Sequence, residues 1–102
     1  MTTVLGKRLK EARLRLDLTQ AEIGVRAGMD ASVASTRINQ YERGVHFPGL
    51  SVVERLAKAV DVPAPFMYAE DDQLAAWILA FPKISASNRR AVIDKAGMNP
   101  RK

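Results

Sequence analysis

Apolar residues recur at helical spacing along almost the whole chain, and no stretch shows the sustained alternation of a half-buried strand. The pattern predicts an all-α protein. Leu5, Leu9, Ala12 and Leu16 fall at i, i+4, i+7 and i+11 and define the packing face of a first helix. Lys7, Arg8, Lys10, Glu11 and Arg15 take the rest of its circumference and are expected in water. Thr19-Gln20-Ala21-Glu22 is a capping-box pattern, in which the hydroxyl and the carboxylate satisfy each other's orphan backbone N–H groups, so a second helix should open at Gln20. It turns Ile23 and Ala27 inward and should end at Gly28, a residue suited to the left-handed conformation. Gly24 and Gly28 lie four apart on one face, a spacing that lets another helix cross close to the backbone.

Asp30 can cap a third helix running to about Arg43, with Gly44 as its stop. Ala34, Ile38 and Tyr41 make its inward stripe, with Val33 beside it. The opposite face reads Ser32, Thr36, Asn39, Gln40 and Arg43, flanked by Ser35 and Arg37, and is almost wholly composed of hydrogen-bonding groups. A loop follows, in which His46 and Phe47 read as packing residues. The stripe Leu50, Val53, Leu56, Ala57 and Val60 then marks a fourth helix, broken at Asp61-Val62-Pro63. A short fifth turn from Ala64 to Tyr68 can lay Phe66 or Met67 over the core.

Beyond it, Asp71 and Asp72 favour another helix start, Leu74, Trp77, Ile78 and Phe81 supply an apolar face, and Pro82 ends the segment. Ser85 or Ser87 can cap a last helix through Val92, Ile93 and Ala96 to Gly97, before a frayed basic end at residues 99–102. Arg89 and Arg90 read as solvated surface. No internal repeat or low-complexity tract interrupts the chain.

Composition narrows the chemistry. A chain of 102 residues, 47% apolar and 26% charged, suits one self-folding domain with a short appendage. With no cysteine and His46 as its one histidine, it offers no disulfide framework and no plausible metal cage, and no cofactor is expected. No nucleophile stands with a base, so catalysis is not expected. The charged start does not read as a signal peptide, and no segment approaches the ~20 apolar residues of a membrane span, which points to the cytoplasm. A net charge of +5 favours a polyanionic partner. Its distribution is even: ten basic and seven acidic residues up to Ala69, six and four after it. The charge therefore singles out no tail, and position within the fold must decide.

A short helix opened by Thr-Gln, a small-residue turn and a helix with a polar outer face make a helix-turn-helix, whose second helix can lie in the DNA major groove. Taken alone, a polar face is what every amphipathic helix carries; the flanking motifs decide. The run Leu9-Lys-Glu-Ala-Arg13, Leu18-Thr-Gln-Ala-Glu-Ile23, Ala27-Gly28, Ile38-Asn-Gln-Tyr-Glu-Arg-Gly44, Pro48 and Leu56-Ala-Lys-Ala-Val60 resembles the phage-repressor or Xre-type (lambda-repressor-like) helix-turn-helix family. The resemblance implies a five-helix DNA-binding domain over residues 1–69 and leaves residues 70–102 as a two-helix extension. It also implies a nucleoid-associated transcriptional regulator, a repressor that binds a pseudopalindromic operator on double-stranded DNA as a homodimer.

Carried over residue by residue, the base-reading positions correspond to Ser35, Thr36 and Gln40, with Arg37 and Asn39 as neighbours; Gln40 suits adenine. Thr19 and Gln20 match phosphate-holding positions, and Arg43 is a further candidate, although the helix dipole explains it equally well. Arg13 and Glu42 match an ion pair that ties the first helix to the end of the third. One departure stands out: Gly28 and Ile38 are ten apart, about four more than the family pattern, which adds about 6 Å if the extra residues are helical. Ala and Ser there, behind an Asp30 cap, favour a longer third helix, and Ser32 falls within the added segment. Gly24 also stands where the family usually has alanine. The apolar face of Leu74, Trp77, Ile78 and Phe81 either completes the core of one chain or joins a second copy. A different class of function also fits such an extension, an antitoxin-type module that masks a partner protein and uses the helix-turn-helix for autoregulation.

Overall fold

Leu9, Ile23, Ile38, Val53, Leu56, Val60 and Met67 are fully buried, and they draw the first four helices and the turn after them around one core. Each such side chain contributes about 1.5–3 kcal/mol by leaving water. The computed structural model describes residues 2–100, so the Arg101-Lys102 part of the expected frayed end lies outside the described residues. The elements are α1 (Val4–Arg15), α2 (Gln20–Arg26), α3 (Ala31–Arg43), α4 (Leu50–Ala59), α5 (Asp72–Ala80) and α6 (Ala86–Lys95), with 3-10 turns at Ala64–Tyr68 and Phe81–Lys83. The fold is all-helical, as the periodicity predicts; the expected fifth helix is the first of the 3-10 turns.

The helix ends follow local chemistry. Thr19 and Glu22 form the full capping box. Asp30 caps α3 by accepting from the Ser32 N–H, and Gly44 ends it in the left-handed region at φ 74°. The four extra residues before Ile38 are accommodated as helix, so α3 gains a turn at its N-terminus. That turn explains a second departure. A Cβ at Gly24 would lie 2.5 Å from the Ala34 Cβ, so only glycine lets α3 cross α2 at this point. Gly28 plays no such part. It has open space around its Cα and a φ of 92°, so its role is conformational. A second close approach was not expected: a Cβ at Gly6 would lie 2.5 Å from the Glu42 carbonyl oxygen, where α1 crosses the end of α3.

Several expected positions move. Arg8, assigned to solvent, is 2% exposed. Its Nε donates to the Ala69 carbonyl at 2.7 Å, its Nη2 to the Glu70 carbonyl at 3.0 Å and to Asp72 Oδ1 at 2.9 Å, and its Nη1 to Glu11 at 2.9 Å. The aliphatic stem and guanidinium thereby fasten α1 to the start of α5. Leu50, assigned to the α4 stripe, is exposed because it sits at the first position of the helix, before the stripe meets the core. Val33 is exposed rather than packed beside Ala34, and Phe47 is 76% exposed rather than folded into its loop.

In α5 the inward residues are Ala75, Ile78 and Leu79. Ile78 thus turns to the chain's own core, while Leu74, Trp77 and Phe81 stay about half exposed. Arg89 is not plain surface: its guanidinium lies 4.1 Å from the Phe81 ring centroid and its Nε donates to the Phe81 carbonyl at 2.9 Å. Ser85 supplies the α6 cap, and no residue of α6 is buried. The molecule is accordingly drawn out, 49 Å long and 26 by 25 Å across. None of its described helices is long and apolar enough to cross a membrane.

Candidate nucleic-acid interface

Helix α3 is gripped from behind and open in front. Ala34 and Ile38 are fully buried and Tyr41 nearly so, which fixes the rotation of the helix about its axis. Ser32, Ser35, Thr36, Arg37 and Arg43 are then exposed, with Asn39 and Gln40 half-buried along the edge. Among the described residues Arg37 and Arg43 take part in no salt bridge, so both present free positive charge. Gln40 and Arg37 also line a shallow hollow with His46 and Phe47 of the following loop.

The pair Arg13 and Glu42 meets in a two-pronged contact, Nε to Oε2 at 2.7 Å and Nη2 to Oε1 at 3.1 Å. The Arg13 Nη1 donates in addition to the Leu18 carbonyl at 3.0 Å, just before α2. Both side chains are largely out of water, 11% and 4% exposed, so the bond is poorly screened and the geometry is rigid. Gln20 joins the same cluster: its amide donates to Glu42 Oε1 at 3.0 Å and to Asn39 Oδ1 at 3.3 Å. The Gln20 carboxamide therefore links the start of α2 to α3 and sets the orientation of Asn39. Arg55 Nε closes the other end of α2 by donating to the Ala27 carbonyl at 3.1 Å.

Thr19 is committed locally as well. Its hydroxyl accepts from the Glu22 N–H at 3.0 Å, and its own N–H donates to the Glu22 carboxylate at 2.8 Å. The bond from the Thr19 N–H first, and then the nearby Thr19 side chain, hold the Glu22 carboxyl below the usual carboxylate range. Ser32 is likewise held in its cap: its hydroxyl donates to Asp30 Oδ1 at 2.6 Å and its N–H to the same oxygen at 2.9 Å. Of the residues expected to read bases, then, Ser35, Thr36, Arg37 and Gln40 are spread over the side of α3 turned away from the core, Asn39 sits where α2 meets α3, and Ser32 is tied to Asp30.

Two residues that join α1 to its neighbours have no local sequence signal. Three of the four hydrogen-bond partners of Arg8 lie more than 60 residues away, and nothing in α1 distinguishes it from its solvated neighbours. The crossing at Gly6 has the same character, visible only once α3 is in place. Among the described residues no cluster of three or more His, Cys, Asp or Glu is arranged to hold a metal ion.

A family model described as a helix-turn-helix domain matches residues 4–65. The crystal structure of the transcriptional regulator BswR is similar over nearly the whole molecule, with 34% identity, a TM-score of 0.81 and coverage of 97% of this chain and 95% of that one. The restriction-modification controller protein C.AhdI from Aeromonas hydrophila is similar over less: 28% identity, a TM-score of 0.55, and 63% of this chain against 91% of that one. No curated protein sequence matches significantly. The family match ends before α5, whereas coverage of 97% necessarily takes in most of the α5–α6 extension. With the capped α2, the close crossing at Gly24 and the outward polar face of α3 all inside the matched segment, the chain belongs to the helix-turn-helix family, in its Xre-like form.

Proposed function

We propose that the chain is a sequence-specific DNA-binding transcription regulator, a repressor that binds a pseudopalindromic operator as a homodimer. The observation that carries this reading is the outer side of α3, where Ser35, Thr36, Arg37 and Gln40 are turned away from the core by the buried Ala34, Ile38 and Tyr41 and none forms a side-chain bond within the described fold. Such a face can enter a major groove and offer Gln40 to adenine and Arg37 to guanine. Thr19 and the backbone N–H of Gln20 at the start of α2, together with Arg43, contact flanking phosphates and set the register. Asn39, oriented by Gln20, reads at the edge of the same groove, and Ser32 acts through the cap of α3.

Residues 1–69 then form the DNA-binding unit, and residues 70–102 join two copies. Support for the second part is the apolar surface left by Leu74, Trp77 and Phe81, and the absence of any buried residue in α6, a ten-residue helix too short to persist alone in water. Two copies place their α3 helices in successive major grooves ~34 Å apart and exclude polymerase by occupancy, with no chemistry on the DNA. Location at the nucleoid in the cytoplasm follows from that role. That BswR and C.AhdI are a transcriptional regulator and a controller protein supports this reading over an antitoxin-type module.

Selection of bound DNA from a random pool, with the mass of the complex measured, tests it. A two-fold symmetric site occupied by two chains is expected, with affinity falling steeply as salt rises. A triple substitution of Ser35, Thr36 and Gln40 to alanine should abolish preference for the selected site. If preference survives, α3 is not the reading element.

A further inference from the structure

The added turn of α3 presents one side chain that the fold does not use. Val33 is 39% exposed, and it lies three, four and seven residues before Thr36, Arg37 and Gln40, on the same side of the helix. A β-branched residue on a solvated helix surface has restricted rotamers and gains nothing from burial there. Among the described residues of that side it is the one branched apolar group in an otherwise polar set. Its Cβ tilts toward the helix N-terminus, so it covers the leading tip of α3.

The rest of the tip is accounted for. Both the hydroxyl and the N–H of Ser32 are given to the Asp30 carboxylate. That carboxylate occupies the place an anion would take at the start of a helix, and its hydrogen bonds from Ser32 keep it below the usual carboxylate range, so it stays charged and repels phosphate. The leading tip is therefore built to meet base edges rather than the backbone. In the major groove the one apolar feature a base edge offers is the thymine C5 methyl.

We propose that Val33 packs on a thymine methyl in each half-site, a specificity contact made by the turn that lengthens α3. The contact rests on the proposed entry of α3 into the major groove. The added turn extends the helix by about 6 Å, close to two base-pair steps, so the thymine lies at the outer end of the sequence read through Thr36 and Gln40. Val33, exposed on the surface, can be changed without disturbing the core.

The test uses the full chain and the DNA site selected from a random pool. Each thymine is replaced in turn by deoxyuridine, which lacks only the methyl group. For the unmodified chain, one such replacement per half-site should weaken binding about threefold to fivefold. Val33→Ala should bind thymine and deoxyuridine alike at that position, while Val33→Ile keeps the discrimination. Unfolding midpoints should match across the three proteins. If Val33→Ala discriminates as the unmodified chain does, or if no position responds to loss of the methyl, the contact is wrong. Gln40→Ala separates this failure from a deeper one. Loss of preference at one base pair in that variant, with no Val33 effect, overturns the thymine contact alone; no effect from either variant overturns the entry of α3 into the groove as well.

Discussion

The unit that ends at Ala69 and the α5–α6 extension are written with the same signals, amphipathic helices behind polar caps, yet they reach different states. In the front unit α1, α2, α3 and α4 bury Leu9, Ile23, Ile38 and Leu56 against one another. In the extension α5 buries Ala75, and α6 buries nothing. Ser85 caps α6 through the Asn88 N–H at 3.2 Å, as Asp30 caps α3, so the starts of the two helices are equally well specified. A cap contributes about 1 kcal/mol, whereas each large apolar side chain taken from water contributes about 1.5–3 kcal/mol. Caps decide where a helix begins; facing stripes decide whether it is held. The extension has its caps and little to face them, Ala75 being its one buried position within the described helices, which fits the proposed pairing of two copies.

The strongest way to break this contrast is at the seam of the front unit. Arg13→Ala leaves the Glu42 carboxylate, 4% exposed, with the Gln20 amide as its one remaining side-chain donor. An uncompensated charge in that position is expected to cost about 3–5 kcal/mol, read as a lower midpoint in chemical denaturation. Binding to every DNA site should weaken in parallel, because α3 loses its fixed orientation. A midpoint within error of the unmodified chain would mean that apolar burial alone holds α1 to α3.

What the sequence made legible follows the same division between local and tertiary causes. The span of α3, from the Asp30 cap to Gly44, and its buried stripe were readable because both depend on residues within one helix. The lengthening by a turn was readable for the same reason. Misplaced residues are those whose surroundings come from elsewhere. Arg8 looks like any solvated charge until Ala69, Glu70 and Asp72 arrive from the far side of the core. Gln20 reads as a phosphate contact, and that its side-chain amide also joins α2 to α3 through Glu42 becomes visible only in the fold. Trp77 and Ile78 read as one apolar face; the packing of α5 on the core separates them, Ile78 inward and Trp77 outward. Val33 and Phe47 are expected to pack because they are apolar, yet both stay exposed, Phe47 the more so.

A sharper, smaller test addresses the joint between the two regions. Arg8→Ala removes the donors to the Ala69 and Glu70 carbonyls and to Asp72, and with them the guanidinium that lies over the Phe66 ring. The loss is expected to be about 2 kcal/mol, since two of the freed partners, Glu70 and Asp72, can turn to water. Its distribution should be uneven. Amide exchange in α5 should quicken markedly, that in α2 and α3 little, because their own core and the Arg13–Glu42 pair are untouched. Equal acceleration throughout would show one cooperative body in place of two regions joined by an arginine.

The smallest effect is one of pH, and it tests the same joint without removing Arg8. The Asp72 carboxyl is held below the usual carboxylate range by the hydrogen bond from Arg8 and then by Lys7. Thr19 does the same for Glu22, and Ser32 for Asp30. A carboxyl depressed in the folded state adds stability that is complete above its unfolded value and is lost as pH falls through the folded one. For these groups the contribution is therefore constant above about pH 5 and declines below about pH 4. All three are exposed, so the decline is slight and salt reduces it. Its location is the informative part: in acid, exchange should quicken in α5 because Asp72 lets go of Arg8, and Asp72→Asn should flatten that response in α5 while leaving the acid response of α2 and α3 in place. If α5 responds to acid equally with and without the carboxylate, the other partners of Arg8 hold it, and the charge of Asp72 has no part in fastening α5 to α1.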